Sequence, residues 1–199
     1  DGRIWVGTNA DGLYAMDQDG AQIQHYVARS PLDGTTLHDQ AVRALLANAD
    51  GTLWIAGENN GLARFHPASE SFSYYQHDPS RETTIAANRL ASLLHGRDDL
   101  LFVGSWANGF SVHNPRTRSF TRIESVAGNP KTLPTRQART VIGDADGTLW
   151  AGMLEGGGLV HVDPDKGVVA RYRNDPARDD SLSHDFVQYV TRTRDGSLW

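Results

Sequence analysis

One short pattern returns along this chain at a nearly constant interval, and it limits the possible folds more than any other feature. It is clearest as Asp50-Gly51-Thr52-Leu53-Trp54-Ile55-Ala56-Gly57 followed by Asn60-Gly61-Leu62. Further copies are Asp1-Gly2-Arg3-Ile4-Trp5-Val6-Gly7, Asp98-Asp99-Leu100-Leu101-Phe102-Val103-Gly104, Asp146-Gly147-Thr148-Leu149-Trp150-Ala151-Gly152 and Asp195-Gly196-Ser197-Leu198-Trp199. The aromatic anchors Trp5, Trp54, Phe102, Trp150 and Trp199 stand 49, 48, 48 and 49 residues apart. A period of this length marks a repeat architecture, in which one unit buries too little apolar surface to stand alone and stability comes from stacking neighbours. The units span 1–49, 50–97, 98–145 and 146–194, with a fifth opening at 195–199, and residues 1–199 read as a single domain.

Within the second unit the residues predict four strands. Ala41 to Leu46 is a short apolar run, the pattern of a strand buried on both faces. Asn48-Ala49-Asp50-Gly51 follows, and Asp-Gly is the signature of a two-residue hairpin turn. Thr52 to Ala56 is the second strand, Glu58 to Gly61 a turn, Leu62 to Phe65 the third strand, and Ser71 to Tyr75 the fourth. Links of about ten residues, such as Asp78-Pro79 through Thr84-Ile85, lead to the next unit. Four antiparallel strands per unit of this size describe a blade of a β-propeller. Helical repeats would show apolar positions at three-to-four spacing without frequent breakers, and this chain carries 20 Gly and 8 Pro. The fold expected is therefore all-β: about four four-stranded blades, forming an open arc of a larger ring with apolar faces exposed at both ends. A four-blade ring closing on itself is the alternative. The anchors are expected to pack between adjacent blades, and the glycines after them to bend the strand or admit close backbone approach.

Composition narrows the partners. A formal net charge of -5 argues against nucleic acid, which needs a basic face to neutralise phosphates. No apolar run is long enough to span a membrane, and without cysteine there is no disulfide, thiol chemistry or Cys-ligated zinc. The chain opens on Asp1 and stops on Trp199 inside a repeat, so a segment of a longer protein is expected.

The succession Asp-Gly-x-Leu/Ile-Trp-x-Gly, Gly-Leu, an aromatic strand, Asp-Pro and Thr/Ser-Leu resembles the two-component regulator propeller repeat, and it does so over essentially the whole chain. Asp98-Asp99 and Phe102 depart from the pattern in the third unit. The resemblance implies the sensor region of a bacterial membrane receptor: seven-bladed propellers outside the cytoplasmic membrane, in the periplasm, ahead of a β-sandwich, a transmembrane helix and a histidine kinase or diguanylate cyclase. It also implies a homodimeric parent.

The residues that could carry chemistry are few. Asp50, Asp146 and Asp195 read as turn residues, and Asp144-Ala145-Asp146-Gly147 lacks the later ligands of a calcium loop. The eight histidines occupy unrelated repeat positions without metal-ligand spacing. There is no serine-nucleophile elbow. No metal, cofactor or catalytic residue is predicted.

Ligand contacts are expected instead in the second-to-third strand turns and the inter-blade links, which gather at one mouth of a propeller. Those turns hold Asn9, Asp11, Glu58, Asn59, Asn60, Trp106, Asn108 and Glu155. Trp106 has no aromatic counterpart in the other repeats. It reads either as a platform for a sugar or other flat ligand, or as packing against a neighbouring blade. Arg89, Arg136 and Arg139, near the starts of first strands, suit an anionic ligand. The expectation is a non-catalytic sensor propeller for a small molecule, a carbohydrate among the candidates. The rival readings are a secreted polysaccharide or cyclic-ester lyase or hydrolase, and an interaction scaffold.

Overall fold

The computed structural model describes residues 2–29, 33–144 and 146–199. Among the described residues fifteen strands form four antiparallel sheets in chain order. The first sheet contains β1 (Ile4–Gly7), β2 (Leu13–Met16) and β3 (Ile23–Tyr26). The second contains β4 (Val42–Ala47), β5 (Leu53–Gly57), β6 (Leu62–His66) and β7 (Ser71–Tyr75). The third contains β8 (Leu90–His95), β9 (Leu101–Ser105), β10 (Phe110–Asn114) and β11 (Ser119–Ile123). The fourth contains β12 (Ala138–Gly143), β13 (Leu149–Met153), β14 (Gly158–Asp163) and β15 (Gly167–Tyr172). Each sheet is an up-and-down meander, which is a propeller blade, and the blades form an open arc. Blade one has three strands rather than the four expected, because β1 already stands at the second-strand position of the repeat. No described helix is long and apolar enough to cross a membrane.

The core lies between blades, as the repeat requires. One cluster joins blades one and two around Leu13, Ile55 and Phe65, with Trp5 packed against it. A second joins blades two and three around Trp54, Leu90 and Val103, and a third joins blades three and four around Phe102, Phe110 and Leu149. The anchors therefore share a sequence position but not a burial: Trp54 is 4% and Phe102 2% exposed, Trp5 and Trp150 are half-buried, and Trp199 is 78% exposed. Trp199 belongs to a short hairpin bridged at Arg192 and Leu198.

Two local expectations change. The inner strands are not buried on both faces: in β4 only Val42 is fully buried, whereas every residue of β5 is. An inner strand is a sheet edge, so the second strand, with a sheet neighbour on each side and a blade on each face, is the drier one. The Asp-Gly turn is not a two-residue hairpin. Gly51 N–H donates to Asn48 O at 3.0 Å and Asn48 N–H to Thr52 O at 2.8 Å, and Gly51 has φ 83° while Asp50 does not enter the left-handed region. This is a three-residue loop, a tight turn closed by a left-handed glycine. Asp50 Oδ1 accepts from Thr52 N–H and Oγ1–H, which explains the Asp-Gly-Thr order. In blade three, Asp99 takes the glycine's place at φ 61°.

The strand glycines answer to close approach. A Cβ on Gly57 would lie 2.7 Å from His38 Nε2, and one on Gly152 would lie 2.8 Å from Val187 O. Opposite these glycines the inner strand gains an extra residue: the register shifts between Val42 and Ala44, Leu90 and Ser92, and Ala138 and Thr140. The residues inside these bulges are Arg43, Ala91 and Arg139. Further out, arginines of the outer strands clamp the preceding links. Arg122 Nη2 donates to Asp78 O and Arg81 O at 2.8 Å, and Arg171 Nη2 to Pro130 O at 2.9 Å and Thr132 O at 2.7 Å.

Candidate ligand site at the propeller mouth

The second-to-third turns and the links do share one rim, because the backbone ties them together. Glu58 N–H donates to Ala41 O and Trp106 N–H to Arg89 O, both at 3.1 Å, and Leu154 N–H donates to Gln137 O at 3.0 Å. Glu58, Trp106 and Leu154 are thus equivalent residues, each placed beside the start of its own inner strand. The bulge at that start re-aims a side chain that strict alternation would point elsewhere. It brings Arg43 and Arg139 into reach of the turns.

The result is a row that crosses three blades: Arg43, Glu58, Arg89, Trp106 and Arg139. Glu58, its side chain 14% exposed, accepts from Arg43 Nε on one oxygen and from Arg89 Nε at 2.7 Å on the other. The Arg89 guanidinium carbon lies 5.5 Å from the Trp106 ring centroid, and that of Arg139 lies 4.5 Å from it. Burial alone would raise the Glu58 pKa; the hydrogen bonds from Arg89 and Arg43 outweigh it and hold the carboxyl below its ordinary value. Glu58 is therefore ionised at neutral pH. Arg139 has no hydrogen bond or ion pair among the described residues, and its contact is the indole ring. The Trp106 Nε1–H is buried without an acceptor. With three cations against one carboxylate, the row is rich in donors and poor in acceptors.

The other sequence candidates are placed differently. Asn59 and Asn60 offer their backbone N–H groups to Asp39 Oδ2, at 2.5 and 3.0 Å, and Asn60 Nδ2 donates to His38 O at 2.8 Å. Asn108 Nδ2 donates to Ala86 O, the repeat equivalent, at 3.2 Å. These amides hold turns against links. Glu155 accepts from Gln137 Nε2 at 2.6 Å. Asp11 accepts from the Tyr14 hydroxyl and is exposed on blade one with Asn9, in a turn whose Thr8 O accepts from Val42 N–H at 2.8 Å, beside Arg43. Arg136 is exposed in its link. Arg43 was missed by sequence reasoning, although it stands one residue into an apolar run at the same repeat position as Arg139. Read together with the strand glycine opposite, that position marks the bulge.

Among the described residues no group of three or more His, Asp or Glu converges as a metal site. Asp144 is engaged by Arg192 at 2.9 and 2.7 Å and by the Trp150 indole N–H at 3.1 Å.

No protein-family model matches the chain, and no curated protein matches it in sequence. Solved structures do. The extracellular domain of the hybrid two-component system BT3049 from B. thetaiotaomicron aligns with all of this chain at 22% identity and a TM-score of 0.80, over 26% of its own length. That of the one-component system BT4673 from the same organism aligns with all of it at 16% identity and a TM-score of 0.79, over 24% of its length. Virginiamycin B lyase from Staphylococcus aureus aligns with 99% of it at 14% identity and a TM-score of 0.67, over 58% of its length. The chain thus spans about a quarter of the signalling ectodomains it resembles. At these identities the likeness speaks to architecture, and the architecture is that of a β-propeller.

Proposed function

We propose that this chain is a ligand-sensing part of an extracytoplasmic β-propeller in a bacterial signalling receptor, and that it is not itself catalytic. The observation that carries this reading is the overlay of the whole chain on about a quarter of a signalling ectodomain, at a TM-score of 0.80 against 0.67 for the lyase. The family resemblance of the repeat supports the same assignment, with a periplasmic location, a membrane-bound homodimeric parent and a kinase or cyclase output. The chemistry of the mouth fits it too. A general acid or base works best with a pKa near the working pH, and Glu58 is shifted the other way, held ionised between two arginines. Such a row binds; it does not shuttle protons.

The complete reading frame tests the assignment. A transmembrane helix followed by a kinase or cyclase region is expected downstream, and osmotic-shock fractionation should expose the propeller to protease from the periplasmic side only. A stop codon directly after one closed propeller would overturn the sensor reading and favour the lyase-like alternative.

A further inference from the structure

We infer that the row Arg43–Glu58–Arg89–Trp106–Arg139 is an oxyanion-binding site at the propeller mouth, with Arg139 as its principal donor and Glu58 as an internal competitor for the other two arginines. The inference stands on the geometry of the row and holds whichever output the parent carries.

The charges are unequal and the inequality is structural. Arg43 and Arg89 are both engaged by Glu58, one on each carboxylate oxygen. Arg139 stacks at 4.5 Å on an indole that already carries Arg89. Stacking leaves the in-plane N–H groups of a guanidinium unused, and those are the groups that meet a carboxylate, sulfate or phosphate in a paired geometry. The ring also orients the fork, so little rotamer freedom remains to be lost on binding. Two positive charges in excess within one row of side chains favour an anion over a neutral ligand.

The opposite rim supplies a contrast. The cleft between blades two and three holds Trp54, Arg64, Asp50 and Asp99. There the cation over the tryptophan, Arg64, is already paired with Asp50 at 2.5 Å. The same stack without a carboxylate occurs at Trp106 and Arg139. The sugar-platform role of Trp106 recedes accordingly, since cations occupy its ring; the indole serves to hold them. Glu58 sets the strength of the site, because an entering anion gains Arg89 only as far as it draws that arginine from the carboxylate.

The test measures thermal stabilisation and calorimetric binding of citrate, sulfate and phosphate at matched ionic strength with sodium chloride. A saturable response to at least one is expected in the native chain. Arg139→Ala and Arg139→Gln should weaken it about tenfold or more, the loss of one charged hydrogen-bonding partner. Arg194→Ala should leave it intact, since it removes the same charge from the Thr193–Ser197 turn, which is bonded as the Asn48–Thr52 turn is and lies at the strand ends opposite the row. Glu58→Gln should tighten it about tenfold, since it releases two arginines. Which of the three anions binds best distinguishes planar from tetrahedral ligands. A response that never saturates beyond the chloride control, an equal loss in Arg194→Ala, or unchanged or weaker binding in Glu58→Gln would each overturn the inference. The Glu58 variant keeps the test decisive if the Arg139 variants fail to fold.

Discussion

Replacing the anchor tryptophans one at a time tests whether the repeat is held by its blade interfaces. Trp54 is 4% exposed, packs on Tyr75 and His113 with ring centroids at 5.4 and 5.5 Å, and lies under Arg64 at 5.1 Å. Trp54→Ala withdraws about 150 Å² of buried apolar contact, or about 4 kcal/mol at ~25 cal/mol per Å². The lost cation–π contact adds about 0.5 kcal/mol, and the total stays within the ~3–5 kcal/mol of large-to-small core changes. Trp199, at the same repeat position, is 78% exposed, so Trp199→Ala should cost under about 1 kcal/mol. In urea, followed by far-UV circular dichroism with an m-value of about 3 kcal/mol/M, the first variant should lower the midpoint by about 1.5 M and the second by less than about 0.3 M. Equal shifts for the two would mean that a further surface covers Trp199 in solution. A negligible shift for Trp54→Ala would refute blade stacking as the source of stability.

Other outcomes follow from single contacts. The stability difference between the native chain and Glu58→Gln should be constant at neutral pH and disappear as acid takes the medium below the ordinary glutamate pKa of 4.5, through the lowered folded value; a depressed carboxyl contributes above its unfolded pKa and stops contributing once protonated, and urea midpoints between pH 3 and 7 read it. Asp99→Gly should stabilise by about 0.5 kcal/mol, because Asp99 sits at φ 61° where its counterparts are glycines; a lower urea midpoint would contradict the reading. Arg192→Ala should speed amide exchange across residues 187–199, which the Arg192–Asp144 pair ties to blade four, while the midpoint of the main unfolding transition stays unchanged.

The architecture was legible because it is written four times. A strand boundary that is ambiguous once becomes firm when Leu53–Gly57, Leu101–Ser105 and Leu149–Met153 all fall at one phase of the period. The turn detail was less legible. Asp-Gly suits both two- and three-residue loops, and the choice fell to the hydrogen bond that Asn48 makes with Thr52. At the mouth, Glu58 and Trp106 were identifiable from their places in the second-to-third turns, and Arg89 and Arg139 from lying near the starts of first strands; Trp106 alone stood out as lacking an aromatic counterpart. Their mutual arrangement was not legible, because they come from three blades and reach one another through a bulge that strand alternation does not predict. Arg43 went unseen for the same reason, hidden in what reads as an apolar strand.

By itself, then, the sequence determined the unit: its length, its four-strand order, the turns that need Asp and Gly, and the aromatic that must be covered by a neighbour. These are local matters of backbone dihedrals and of apolar surface too small to be buried alone. Tertiary structure decided everything that depends on which neighbour is present. It buried Trp54 and left Trp199 in solvent, and it made the second strand rather than the first the driest. It also set two arginines against Glu58 while leaving Arg139 with only an indole, because pairing of charges is a matter of distance across blades and not of position along the chain.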